Sequence, residues 1–339
     1  MAGDTGDNQK LSMWAMADLV TPMAVRVAAT LRIGDHLAQG PRTAAELAPR
    51  VGAHHDALER VLRHLVTAGV LNRDGDGGYT LTGFGEQLRS DHPSGTRAWI
   101  DLDGAIGRGD LCFGSLLHTV RTGEAAYPEH FGTPFWDDLS ARPALGASFD
   151  TLMSAQSADT ASLLAAAYDW AALGEVVDVG GGAGTLLIEL LRTHPNLRGT
   201  VLDLPGPAAA AERALHEAGL AERGRTVSGS FFDPLPEGAG GYLLALVIHD
   251  WSDEEASTIL GNCAAAAGPA GRVLLVEAIG TAAGQPGNTE MDLRMLAYCN
   301  GRERSLDQLT ELADAAGLRI GSVTPVTGRR SLVELLPAA

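Results

Sequence analysis

A histidine and two glutamates carry the clearest catalytic potential in this chain. The apolar run 242–248 reads as a buried strand that ends in Ile248-His249-Asp250-Trp251-Ser252-Asp253-Glu254-Glu255. Imidazole has an ordinary pKa of about 6.5, which suits a general base at neutral pH. The next strand, 272–277, ends in Glu277, and a further acid, Glu303, stands in Asn300-Gly301-Arg302-Glu303-Arg304-Ser305. Carboxylates flanking an imidazole fix its tautomer and stabilise the imidazolium that forms when it takes a proton. The competing reading makes His249 a cap for the helix that starts near Ser252.

A second constellation precedes it: Glu175-Val176-Val177-Asp178-Val179-Gly180-Gly181-Gly182-Ala183-Gly184. The valine-rich run reads as a buried strand, and Leu186, Leu187, Leu190 and Leu191 begin an amphipathic helix. Glycines between a strand and a helix let the backbone approach a ligand and leave helix N–H groups aimed at it. A nucleotide-type cofactor is therefore expected. A dinucleotide fingerprint needs glycine or alanine at the last place of G-x-G-x-x-G, but that place holds Thr185 counted from Gly180 and Leu187 counted from Gly182. Gly199-Thr200-Val201-Leu202-Asp203-Leu204 reads as the next strand, ending in an acid placed to accept hydrogen bonds from ribose hydroxyls. The competing readings are a ligand-free strand–helix turn and a helix N-cap at Asp203.

The elements that must position these residues alternate from Val176 onward. Strands are expected at 176–179, 200–203, 226–228, 242–248, 272–277 and 331–336, and helices at 185–193, 208–218, 253–267 and 305–316. That pattern predicts an α/β, doubly wound sheet with ligands at the C-terminal ends of its strands. Gly280–Asn288 reads as a flexible loop, and 96–170 as a helical lead-in with one helix spanning Ile106 to Val120 and ending near Gly123. Residues 11–38 show a long helical pattern that Pro22 breaks or kinks. Thr43 and Glu46 form a capping box, a second helix carries Leu58, Leu62 and Leu65, and 70–82 reads as a hairpin. Helix, turn, helix and hairpin make a winged helix. The expected division is an N-terminal domain over 11–95, all-helical apart from its hairpin wing, and a catalytic domain over 96–339.

DNA binding is the obvious use of a winged helix, and the charges argue against it. Between Gly40 and Asp91 stand six arginines and no lysine against seven acids, and Asp56 and Glu59 on the second helix would repel phosphates. The whole chain carries a formal net charge of -17, which disfavours nucleic acid and anionic membranes. Dimerisation through the wide apolar face of 11–38 is the better reading. Cys112, Cys263 and Cys299 are few and scattered, so a reducing compartment and no disulfide framework are expected. His54-His55 is an isolated doublet, read as a solvated helix start, and no metal-binding spacing occurs. The first ten residues are polar and no apolar run is long enough to span a bilayer, so a cytoplasmic protein is expected.

Asp178-Val179-Gly180-Gly181-Gly182-Ala183-Gly184 resembles the cofactor loop of S-adenosylmethionine-dependent methyltransferases. The ordered set of winged helix, this loop, Asp203-Leu204-Pro205, Gly229-Ser230-Phe231-Phe232-Asp233-Pro234, His249-Asp250-Trp251-Ser252-Asp253, Glu277, Met291-Asp292-Leu293-Arg294-Met295 and Gly301-Arg302-Glu303-Arg304-Ser305 is similar to the small-molecule O-methyltransferases of caffeate and hydroxyindole type. The nearest likeness is to bacterial members acting on aromatic polyketides of the anthracycline type. The resemblance implies a Rossmann-like catalytic domain, a homodimer, and a small aromatic acceptor. It implies a cofactor set of Asp178, Gly180, Gly182, Asp203, Leu204, Ser230, Phe231, Ala245 and Asp250. It also implies a base, His249, supported by Glu277 and Glu303, and an acceptor wall of Trp136, Phe149, Met153 and Met295. There are departures: many relatives have aspartate where Ser230 stands, plant members have lysine at Ala245, and the nearest group has arginine at Gly146. Two rivals remain: a relative on the same scaffold that hydroxylates or decarboxylates, and, from a different class, a winged-helix regulator that senses a small ligand.

Overall fold

The computed structural model describes residues 12–279 and 288–338, and these divide into two compact units, residues 1–108 and 109–339. The polar N-terminus and all of the loop read over Gly280–Asn288 except Asn288 lie outside the described residues.

In the N-terminal unit the pattern over 11–38 resolves into three helices, Met13–Ala17, Val20–Thr30 and Ile33–Leu37. Pro22 breaks none of them. It sits in the first turn of the middle helix, where its missing N–H would have had no intrahelical partner. The breaks fall at Asp18-Leu19 and at Leu31-Arg32, where Arg32 adopts a φ of 53°. Thr43 and Glu46 form both halves of the capping box, worth about 1 kcal/mol. His54 caps helix His55–Thr67 with its own ring nitrogen, and Gly69 closes it with a φ of 74°. Leu58, Leu62 and Leu65 face inward, and strands β1 (Leu71–Arg73) and β2 (Tyr79–Leu81) form the antiparallel wing. Met13, Trp14, Met16, Leu19 and Val20 remain 61–80% exposed, a large group of exposed apolar side chains within eight residues.

The second unit holds a seven-stranded sheet: β3 (Glu175–Val179), β4 (Arg198–Asp203), β5 (Gly224–Ser228), β6 (Gly241–Ala245), β7 (Arg272–Glu277), β8 (Leu318–Pro325) and β9 (Ser331–Pro337). Their order is β5-β4-β3-β6-β7-β9-β8, with β9 antiparallel to both neighbours. The chain winds one way from β3 to β5 and the other way from β6, so the switch point lies between β3 and β6, where ligands bind in such sheets. Side chains alternate between two cores: Val177, Val179, Leu244 and Leu275 pack on one face, and Val176, Leu243, Leu274 and Val276 on the other. A strand buried on both faces must be apolar throughout, which is why these runs are legible in the sequence.

Further expectations need correction. Strand β6 ends at Ala245 rather than 248, because Leu246 adopts a φ of 56° and leaves extended geometry; Ile248–Asp250 is a short 3-10 turn. The single helix expected over 106–120 is helix Ala105–Gly109, a 3-10 stretch Asp110–Ser115 and helix Leu116–Thr122. Strand β8 and helix Thr289–Cys299 were not anticipated. β8 is a largely exposed edge strand with a bulge between Ile320 and Ser322, so it lacks the apolar run that marked the others.

Candidate active site

The turn after β3 is built from backbone. Gly180, Gly182 and Gly184 have φ of 70°, 57° and 78°, a region that favours glycine. A Cβ on Gly181 would lie 2.6 Å from the Asp178 carboxylate, so close approach also requires glycine there. Asp203, at the end of β4, reaches back to the turn: its carboxylate accepts from Gly182 N at 2.8 Å and from Leu204 N at 2.7 Å. Asp178 is 1% exposed, and its Oδ2 has no hydrogen-bond partner. Burial and then the charge of Asp203 push its carboxyl up to about 7. Burial likewise raises Asp203. Such a pair of carboxyls beside a glycine turn suits a ligand carrying hydroxyls and a cationic group. The Phe231 ring lies against Gly180, and Asn262 Nδ2 holds Phe231 O at 3.0 Å. Ser230 and Ala245 are half-buried, and Leu204 is 47% exposed beside Asp203.

The second cluster is built from side chains. His249 Nδ1 lies 3.0 Å from Glu303 Oε1 and 3.6 Å from Glu277 Oε2, and its Nε2 lies 3.5 Å from Asp250 Oδ1. A carboxylate only accepts, so the proton sits on Nδ1 of the neutral ring and the Nε2 lone pair is left to act as a base. Burial alone would lower the ring's pKa, but Asp250, Glu277 and Glu303 together push it up to about 10. Burial raises Glu277 to about 7 and Asp250 to about 6. Both Glu277 oxygens and Glu303 Oε2 are buried without a hydrogen-bond partner. The structure thus brings His249, Glu277 and Glu303 together, and it sets Asp250 against the imidazole. His249 does not cap the helix Asp253–Ala267; Ser252 does.

Rings link the two clusters. Trp136 is nearly parallel to Trp251 at 6.3 Å and meets Phe149 edge-on at 5.5 Å, while Trp251 meets Phe231 at 5.6 Å. Phe149 and Met153 are half-buried one helical turn apart on helix Pro143–Ala166, and Met295 is buried on helix Thr289–Cys299. No group of three or more His, Cys, Asp or Glu side chains placed to hold a metal ion occurs among the described residues.

The O-methyltransferase domain family matches residues 113–319, and the O-methyltransferase dimerisation domain matches residues 14–90. The chain belongs to the O-methyltransferase family. It is 57% identical over 317 residues to the 2,7-dihydroxy-5-methyl-1-naphthoate 7-O-methyltransferase of Streptomyces carzinostaticus, covering 94% of this chain and 95% of that one. It is 46% identical over 312 residues to the aclacinomycin 10-hydroxylase of Streptomyces purpurascens, covering 91% and 83%. A solved O-methyltransferase from neocarzinostatin biosynthesis, in complex with S-adenosyl-L-homocysteine and 1,4-dihydroxy-2-naphthoic acid, matches with a TM-score of 0.94 and 56% identity over 97% of this chain and 99% of that one. The cofactor of this O-methyltransferase is S-adenosylmethionine.

Three residues beside these clusters carry no role from the sequence. Arg304 is buried with its head group on the His249 turn. Asp292 Oδ1 accepts from Glu303 N at 3.0 Å. Asp150, next to Phe149, is raised by burial and by the charge of Asp203. Arg304 and Asp292 lie inside the motifs quoted from the sequence, which gave neither a role; Asp150 carried no signal.

Proposed function

We propose that this O-methyltransferase methylates a phenolic hydroxyl of a polycyclic aromatic acceptor such as a hydroxynaphthoic acid or hydroxyquinone, with His249 as the base. The observation that carries the reading is the 3.0 Å contact between His249 Nδ1 and Glu303, which leaves Nε2 to receive a proton. Its support for the acceptor class is the likeness to the naphthoate methyltransferase and to the structure holding a dihydroxynaphthoic acid.

When bound, S-adenosylmethionine supplies an electrophilic methyl group on a sulfonium. Gly180, Gly182, Asp203 and Leu204 would hold its ribose and amino-acid parts, Asp178 would face its ammonium group, and Ser230, Phe231, Ala245 and Asp250 complete that set. Trp136, Phe149, Met153 and Met295 would wall the acceptor. The phenol has an ordinary pKa of about 10 and attacks poorly until deprotonated. The carboxylates that push the ring's pKa up also make Nε2 of the neutral ring a stronger proton acceptor. Glu277 and Glu303 stabilise the imidazolium that results. With a cation bound beside it, the His249 ring would favour its neutral form before reaction. The remaining task of the protein is alignment of acceptor oxygen and methyl carbon.

The N-terminal unit is read as the contact surface of a homodimer rather than a DNA reader. Arg60 and Arg73 pair with Asp56 and Glu59 at 2.9 and 3.1 Å, and the exposed stripe from Met13 to Val20 is apolar. No described helix is long and apolar enough to cross a membrane, and the cytoplasm is the proposed location. The 46% identical hydroxylase marks the rival chemistry. Mass spectrometry with labelled cofactor and a panel of hydroxynaphthoic acids and hydroxyquinones separates them. Gain of one labelled methyl supports transfer; oxygen gain or loss of carboxyl without label overturns it.

A further inference from the structure

We propose that Arg304 is a positioning residue that holds the His249 turn in its working geometry. This rests on the reading of His249 as the base. The Arg304 side chain is 2% exposed. Its Nη1 donates to Ile248 O at 2.6 Å, its Nη2 to Trp251 O at 2.8 Å, and its Nε to Asp253 Oδ1 at 3.0 Å. Ile248 and Trp251 bracket His249-Asp250, so one planar fork spans the 3-10 turn and fixes the spacing of its two flanking carbonyls. The same segment grips the turn directly: Arg302 N donates to His249 O at 2.7 Å, and a Cβ on Gly301 would lie 2.2 Å from that oxygen.

The residue before Arg304 is Glu303, which accepts from His249 Nδ1. Base and carboxylate are therefore tied to one another through a single guanidinium and one peptide bond. Asp292 steadies the Glu303 backbone from helix Thr289–Cys299. A fold-only role explains less. Arg304 buries its charge on neutral carbonyls and on Asp253, which is itself 59% exposed, and that charge also bears on buried Glu277. A buried ion pair is a poor source of stability, and an apolar side chain of similar volume would often serve the core as well. The fork's use is geometric, and a displacement of about 1 Å at such a site costs on the order of 10²-fold in rate.

The test is a cycle of Arg304→Gln and His249→Ala, with Arg304→Lys as the conservative variant and an acceptor whose hydroxyl is acidified so that slow rates stay measurable. Arg304→Gln should lower kcat about 10–100-fold, leave cofactor Kd and acceptor KM within about threefold, and abolish the downfield proton resonance of the Nδ1–Glu303 hydrogen bond. Arg304→Lys should recover only part of the rate, because a single ammonium cannot bridge both carbonyls. In the His249→Ala background, Arg304→Gln should cost less than about twofold. Equal losses in both backgrounds, or a loss of cofactor binding with kcat intact, would overturn the proposal. If Arg304→Gln does not fold, the same cycle with Arg304→Lys decides it. An unchanged kcat in His249→Ala alone removes the base reading itself, and this proposal with it.

Discussion

The cofactor turn and the base cluster are built by opposite means. The turn is local: residues 178–184 form it from positive-φ glycines and backbone N–H groups, with Asp203 added from the neighbouring strand. The cluster is assembled from the ends of β6 and β7 and from the segment after helix Thr289–Cys299, with His249 and Glu303 54 positions apart. In the proposed function the turn would bind through shape, so its tolerances would be steric. The cluster would work through the coupled charges of one imidazole and three carboxylates, so its tolerances would be electrostatic and depend on tertiary packing.

The largest effect should fall on the cluster. His249→Ala is expected to lower kcat about 10²–10⁴-fold while cofactor affinity, measured by titration calorimetry, stays within about twofold. A matching loss of affinity would mean that the two regions are not separable. The reciprocal change comes next. Asp203→Ala should weaken cofactor binding about 10–100-fold, as expected for hydrogen bonds to a charged group, with kcat at saturating cofactor little changed. A fall in kcat at saturation would place Asp203 in the chemistry.

The pH profile sharpens the electrostatic half. The base works unprotonated, and its neighbours hold the free ring's pKa up to about 10. The kcat/KM of the wild type, which reports the free enzyme, should therefore rise with pH through neutrality toward that value, and kcat should have a lower midpoint. Glu303→Gln removes one carboxylate and should move the kcat/KM midpoint down by about 1–3 units. An unmoved midpoint would show that Glu303 does not sense the ring's charge. The smallest effect is on stability. The Asp178 carboxyl is raised from 3.8 to about 7, so the folded state holds its proton longer than the unfolded chain does. That contribution is complete below about 4 and is lost as pH rises to about 7. Asp178→Asn should thus gain in melting temperature relative to wild type over that window and level off above it, by about 2–4 °C for each kcal/mol, while binding cofactor less well. A Tm difference that does not vary with pH would show that Asp178 is not held protonated.

The comparison also explains what was legible. Val176–Val179, Gly180–Gly184 and Asp203 could be placed from sequence because each depends on neighbours within a few residues or one strand away. Thr43–Glu46 was legible for the same reason. The end of β6 was not, because Leu246 is turned by its tertiary setting and no local residue type announces it. Strand β8 escaped because an exposed edge needs no apolar run. Pro22 misled because a proline stops a helix or suits its first turn according to where the helix begins.

The amino-acid order alone determined the alternating strands and helices, the glycine turn, the winged helix and the set of residues able to do chemistry. Backbone conformation and two-faced burial write themselves into consecutive residues, so they can be read without coordinates. Only the tertiary structure decided that Glu277 and Glu303 face one nitrogen of His249, that Asp250 faces the other, and that Arg304 clasps the turn between them. Distances between side chains far apart in the chain are set by how whole elements pack, and no local pattern records them.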